Sequence, residues 1–177
     1  ISNAGIIMGG ALVELPISDF DRIFAINTRS SWLLGKAAHP HLKESKGAFV
    51  ATASMSATQP TPALGFYSSS KAALLMMIRQ LSIEWGPDGI RCNTVSPGPT
   101  YTPMTAAGYE DPSRRDQREA NIPLRKLGVA EDVAQAILFL IGPHASHISG
   151  VDLLVDGGMS NMLMPASGGG TGQNRQS

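Results

Sequence analysis

Residues 47–54, Gly47-Ala48-Phe49-Val50-Ala51-Thr52-Ala53-Ser54, are a short run of small and β-branched side chains set between two helical patterns. An apolar run of this length bounded by turn signals reads as a buried strand. Downstream, a polar, proline-bearing loop over 55–65 leads into a helix over 66–85, with Leu74, Leu75, Ile78, Leu81 and Ile83 as its apolar stripe. Upstream, Phe20, Ile23, Phe24, Ile26, Leu33, Leu34 and Ala37 recur at helical spacing as far as Lys43. Ser18 followed by Asp21 is an N-cap signature for that helix, and Pro40 is a candidate kink in its last turns. Asp88-Gly89 marks a turn before a second buried strand over 90–95, which ends at Pro97-Gly98. Residues 99–128 are irregular and read as a mobile loop with a short helix, the charged run 114–119 forming a solvated face. A third helix over 130–141 carries Glu131 and Asp132 in its first turn, where the macrodipole favours acids. A last strand over 151–155 closes at Asp156-Gly157-Gly158, and the Gly-, Ser- and Asn-rich tail 161–177 is expected to be disordered.

Regular alternation of helix and strand implies right-handed crossovers in a parallel sheet covered by helices: an α/β, doubly wound, Rossmann-like fold. Ligands of such sheets bind beyond the carboxyl ends of the strands. Ser54, Pro97-Gly98 and Asn3-Ala4-Gly5 all fall at predicted strand ends or turns and are expected to line one crevice.

Composition narrows the class. With 42% hydrophobic residues among 177, the chain can bury a core of its own. Fourteen Lys and Arg balance fourteen Asp and Glu, which argues against a broad nucleic-acid or anionic-membrane surface. No apolar run approaches the roughly 18 residues of a membrane span. The single cysteine, Cys92, has no intrachain partner and suits a reducing compartment, so a cytoplasmic location is expected. Cys92 lies on a predicted strand and reads as core. His39 and His41 point apart on a helix, and His144 and His147 sit in a turn without further ligands, so no metal site is expected.

Tyr67 and Lys71 stand four apart on the predicted second helix and so share one face. A phenol titrates near about 10, and a neighbouring ammonium that stabilises the phenolate lowers that value, giving a general acid/base nearer neutral pH. Ser54 lies thirteen residues before Tyr67 at a strand end, where its hydroxyl reaches the same crevice. Asn27 sits inside the first helix, where an amide is a mediocre helix former. Each also has a plain reading, as a strand-end hydroxyl and a solvated surface amide.

Taken together over residues 1–160, these residues resemble the short-chain dehydrogenase/reductase family. Asn3-Ala4-Gly5 is similar to the end of its N-N-A-G turn, with Ser2 in place of the first Asn. Asn27, Ser54, Tyr67 and Lys71 match its catalytic tetrad in order and spacing. Pro97-Gly98 followed by Thr102 matches its P-G-x-x-x-T segment, and 149–158 match its C-terminal strand. The resemblance implies NAD or NADP as cofactor and a small-molecule alcohol or ketone as substrate. Tyr67 would exchange the proton, Lys71 would lower the Tyr67 pKa and bind the nicotinamide ribose, Ser54 would polarise the carbonyl, and Asn27 would bind a water linking Lys71 to solvent. Asn3, Ala4, Pro97, Gly98, Thr100 and Thr102 would contact the cofactor; Thr100 stands where the family usually has Ile or Val. Residues 100–127 would form the substrate lid, with Pro103, Met104, Ala106, Ala107 and Tyr109 giving a partly apolar pocket. The two long helices, bearing Trp32, Trp85, Met76 and Met77, would join a homodimer or homotetramer, although core packing explains the same residues.

The family's T-G-x-x-x-G-x-G turn, its first three strands and the residue that selects NAD or NADP are not in these residues, and Gly5, Gly9 and Gly10 follow the wrong strand to replace them. Residues 1–160 are therefore expected to be the C-terminal catalytic portion of one domain. A sheet of that extent is expected to show an unpaired edge and one uncovered face, and the chain alone to bind dinucleotide poorly. The alternative is a non-catalytic remnant that at most oligomerises.

Overall fold

In the computed structural model, which describes residues 1–162, the elements run α1 (Ile17–Phe24), a π-turn (Ala25–Arg29), α2 (Ser30–Ser45), β1 (Ala48–Thr52), α3 (Tyr67–Glu84), β2 (Arg91–Pro97), β3 (Thr100–Tyr101), α4 (Pro112–Ala120), β4 (Gly128–Val129), α5 (Ala130–Ile141) and β5 (Asp152–Val155). The main sheet is parallel in the order β1-β2-β5, with Ala51 opposite Thr94 and Thr94 opposite Asp152. On the free side of β1, Ser2 donates to the Val50 carbonyl and accepts from the Thr52 amide, both at 2.9 Å. This single bridge carries residues 1–5 alongside the sheet toward its carboxyl end. The doubly wound α/β reading stands.

Successive strand side chains point to opposite faces, and each face has its own core. Phe49, Ala51 and Cys92 meet Leu74, Ile78 and Leu81 of α3, with Leu42, Met77 and Trp85 packed around them. Val50 and Val95 meet Ile137 and Leu140 of α5 on the other face. The expected uncovered face is therefore a misreading: the apolar side of α5, in register with the even-numbered residue of β1, covers it. Cys92 is fully buried, and burial pushes its thiol up to about 12, in keeping with a core role.

Other expectations need correction. The first long helix begins at Ile17 behind Pro16, whose backbone is extended and supplies no side-chain cap. Ser18 and Asp21 thus lie inside α1 and cap nothing, because the N-cap position is taken by Pro16, two residues earlier. Pro40 sits within α2, which runs on to Ser45, and the true irregularity is the π-turn. Of the apolar residues proposed for this helix, only Ile23 is buried, while Leu33 and Leu34 are exposed. Ile83 is 77% exposed, since a residue two beyond Leu81 has rotated off the stripe.

In the irregular segment, β3 pairs in parallel with β4, and α4 is capped by Asp111, which accepts from the Ser113 amide at 2.9 Å. The run 114–119 is a largely solvated face, as expected, with Arg115 reaching Glu119 at 3.4 Å. Among the described residues no helix is long and apolar enough to cross a membrane, and no group of His, Cys, Asp or Glu could hold a metal. His39 instead meets Asp88 at 3.1 Å, beside Lys43 at 2.7 Å. The tail expectation falls, beyond Met162, outside the described residues.

Truncating Leu74 to Ala should cost about 2–5 kcal/mol in urea unfolding, as for other buried leucines. Ile83→Ala should stay within about 0.5 kcal/mol. Equal effects would mean that the stripe is assigned to the wrong face.

Candidate active site

Strand β1 ends by delivering Ser54 into a tight turn, where its Oγ accepts from the Ser56 amide at 3.1 Å. The turn holds the hydroxyl at the carboxyl end of the sheet. From there the chain loops back into α3, whose first turns present Tyr67 and Lys71 to the same end. A cleft of about 550 Å³ opens there, lined by Asn3, Gly5, Thr52, Ser54, Tyr67, Lys71, Pro97, Gly98, Thr100 and Thr102. Eight of the ten residues singled out from the sequence thus converge. Ala4 is exposed and Asn27 fully buried, and neither lines the cleft.

Asn27 lies behind the site. Its Oδ1 accepts from the Ile6 amide at 2.8 Å, and its Nδ2 donates to the Ile6 carbonyl at 3.0 Å and to Ser70 Oγ at 2.9 Å. Ser70 Oγ in turn donates to the Tyr67 carbonyl at 2.7 Å, and Thr28 Oγ1 donates to the Ser70 carbonyl at 2.9 Å. The solvated-amide reading of Asn27 is therefore excluded: with 0% exposure it ties the strand end after Asn3 to the helix that carries Tyr67.

Lys71 is 3% exposed, and its ammonium donates to the Thr52 carbonyl at 2.8 Å. Burial disfavours the charged form and brings the group down to about 8. Its Nζ lies 5.9 Å from the centre of the Tyr67 ring. Tyr67 itself is raised by burial, against which the Ser54 hydroxyl's hydrogen bond works in the opposite direction. The expected lowering of Tyr67 by Lys71 is thus not what governs this phenol. The ammonium is drawn to a backbone carbonyl, and desolvation is the larger influence.

Sequence reasoning missed two contributors, Thr52 and Ser70. Thr52 holds Lys71 through its carbonyl, and its own hydroxyl is buried without a partner among the described residues. Its position two before Ser54 on the strand, hence on the same face, was the available signal. Ser70, three after Tyr67 and fully buried, joins Asn27 to α3. Gly5 leaves room that a side chain would fill, since a Cβ there would sit 3.3 Å from Lys71 Nζ and 3.4 Å from Asn27 Oδ1. Gly98 is equally constrained, as its Cβ would stand 2.6 Å from that of Asp156.

A family model described as "Enoyl-(Acyl carrier protein) reductase" matches residues 1–160. The chain is 37% identical over 161 residues to 2-(R)-hydroxypropyl-CoM dehydrogenase of Xanthobacter autotrophicus, covering 89% of this chain and 64% of that protein. It is 34% identical over 161 residues to L-rhamnose 1-dehydrogenase (NAD(P)(+)) of a Sphingomonas species, covering 90% and 63%. The solved structure of 4-hydroxyisoleucine dehydrogenase complexed with NADH is similar with a TM-score of 0.84 at 28% identity, covering 89% of this chain and 66% of that one. A short-chain dehydrogenase/reductase oxidoreductase from Burkholderia thailandensis gives 0.83 at 29% identity, covering 89% and 63%. The chain spans a little under two thirds of the length of these relatives. By the family match and the shared fold, it belongs to the short-chain dehydrogenase/reductase family.

Proposed function

We propose that this chain supplies the proton-transfer and substrate-holding half of an NAD(P)-dependent oxidoreductase that interconverts a secondary alcohol and a ketone. The observation that carries the reading is the convergence of Ser54, Tyr67 and Lys71 on one cleft at the carboxyl end of a parallel sheet. Relatives named as NAD(P)-dependent or complexed with NADH support the cofactor class.

The residues present fit the nicotinamide–ribose portion of such a dinucleotide. Lys71 uses one of its three N–H donors on Thr52 and faces the cleft, leaving two for ribose hydroxyls. Asn3, Pro97, Gly98, Thr100 and Thr102 line the rest of that wall, and Gly98 keeps it free of a side chain. Ala4 follows on the chain but does not line the cleft. Among the described residues no glycine-rich turn opening a helix lines the cleft, so the pyrophosphate finds no partner here.

Held along the wall formed by Asn3, Lys71, Pro97, Gly98, Thr100 and Thr102, a bound nicotinamide would supply the hydride chemistry at the substrate's carbinol or carbonyl carbon. In the reductive direction Tyr67 Oη gives its proton to the substrate oxygen, completing the alcohol and leaving a phenolate; in oxidation the transfer reverses. Ser54 Oγ donates a hydrogen bond to that oxygen as negative charge develops. Lys71 places positive charge beside the phenolate. Asn27 acts by position, holding Ile6 and α3 in register.

Three tests follow, all with protein expressed from its complete reading frame. Tyr67→Phe should lower kcat by about 10²–10⁴-fold, the range for loss of a general acid, with the thermal midpoint unchanged; near-full activity would overturn the mechanism. Lys71, at about 8, is charged below that pH and neutral above it. Ketone reduction, which uses the protonated phenol, should be level at neutral pH and fall through about 8, and Lys71→Arg, which stays charged, should abolish the fall. Finally, the exposed Trp32, Leu33 and Leu34 of α2 and Met76 of α3 support a homodimer or homotetramer through these helices; Trp85 is engaged in the core. Sedimentation should give a dimer or tetramer, and Trp32→Glu with Met76→Glu should shift it toward monomer.

A further inference from the structure

Residues 2–6 are clamped at both ends. Ser2 is tied to β1 through its amide and its carbonyl, each at 2.9 Å. Ile6 is tied to Asn27 through its amide at 2.8 Å and its carbonyl at 3.0 Å. Between the clamps Gly5 lines the cleft. The position that a Cβ would take there lies 3.3 Å from Lys71 Nζ, 3.8 Å from Lys71 Cε and 3.4 Å from Asn27 Oδ1. Gly5 is not among the glycines with positive φ, so its backbone does not itself demand glycine. What the place demands is the missing side chain.

A carbon 3.3 Å from a nitrogen is tight, and in a close-packed interior one neighbour has to give. The backbone is held on both sides. Asn27 is fully buried and spends its amide on three hydrogen bonds, two to Ile6 and one to Ser70, each costly to lose. Lys71 Nζ is the end of a flexible side chain, with one acceptor among the described residues, the Thr52 carbonyl at 2.8 Å. The ammonium is therefore the group that moves. A shift of a few tenths of an ångström weakens its bond to Thr52 and re-aims its other donors.

Building on the oxidoreductase reading, we propose that Gly5 is a positioning residue for Lys71: the side chain it lacks lets the ammonium rest on the Thr52 carbonyl and keep two donors for the cleft. It acts through Lys71 and takes no part in the chemistry itself.

The protein expressed from its complete reading frame is titrated with NADH and NADPH, read by nucleotide fluorescence. Gly5→Ala should raise Kd for the dinucleotide that the parent binds by about tenfold, as for one impaired hydrogen bond to a charged group. The thermal midpoint should not fall, since alanine at permitted torsions restricts the unfolded chain. A Cβ on Gly9 would meet the Ala63 carbonyl at 3.4 Å and nothing of Lys71. Gly9→Ala should leave Kd unchanged, and an equal loss there would overturn the inference. Without nucleotide, the Lys71 Cε NMR signal, identified by its disappearance in Lys71→Ala, should move in Gly5→Ala. An unmoved signal or an unchanged Kd in the folded variant would overturn it too. In the Lys71→Ala background, Gly5→Ala should change Kd by less than about twofold, because the group it displaces is gone. A tenfold loss persisting there would assign the effect to the backbone and sink the proposal. A moved signal and weakened binding, with Tyr67→Phe as active as the parent, would remove the oxidoreductase mechanism and leave the seating of Lys71 in place. Unchanged binding with Tyr67→Phe inactive would remove the inference alone. If the parent binds neither dinucleotide, both fall.

Discussion

One buried side-chain amide holds the site together. Asn27 pairs with both backbone groups of Ile6 and with Ser70, joining the strand end of residues 1–5, the π-turn and the start of α3 in one network. Each of these groups would be costly to leave unpaired in an interior that excludes water. The sheet alone could set Ser54, which is fixed by β1. It could not by itself set Tyr67 and Lys71 against Asn3, because these belong to segments far apart in the chain, which Asn27 and Ser70 tie together.

Electrostatically the site works against folding. An ammonium at 3% exposure is retained with one hydrogen-bonded backbone carbonyl as its partner here, and its pKa falls accordingly. Between about 8 and the ordinary lysine value of 10.5, the unfolded chain holds more protons at this position than the folded one. The penalty Lys71 imposes on folding is therefore full below about 8 and is relieved as pH rises through that window.

Much of this was legible from residue order. The strand 47–54 and the helix 66–85 announce themselves by period, and Ser54, Tyr67 and Lys71 follow because strand ends and helix faces determine where side chains go. Asn27 was legible as a position but not as a role, since its partners lie 21 and 43 residues away. The π-turn was invisible because its residues keep ordinary helical torsions at both ends and no apolar period marks a widened turn. The β3–β4 ladder, two residues on each strand, is too short to show any alternation. The covering of the second face by α5 depended on a crossover that spacing alone does not aim.

The π-turn has a consequence for how this chain can change. A five-residue widened turn inside a continuous helical path contains the equivalent of one inserted residue. Deleting a residue there would restore regular geometry, yet would rotate α1 against α2 by roughly 100°, the angle of one helical step. Asn27 would swing away from Ile6 or α1 from its packing, and no intermediate arrangement keeps both. Substitutions can drift through this helix one at a time, whereas a length change at residues 25–29 is all or nothing. In lineages of this chain, gaps should be rarer there than the number of solvent-facing residues around it would suggest.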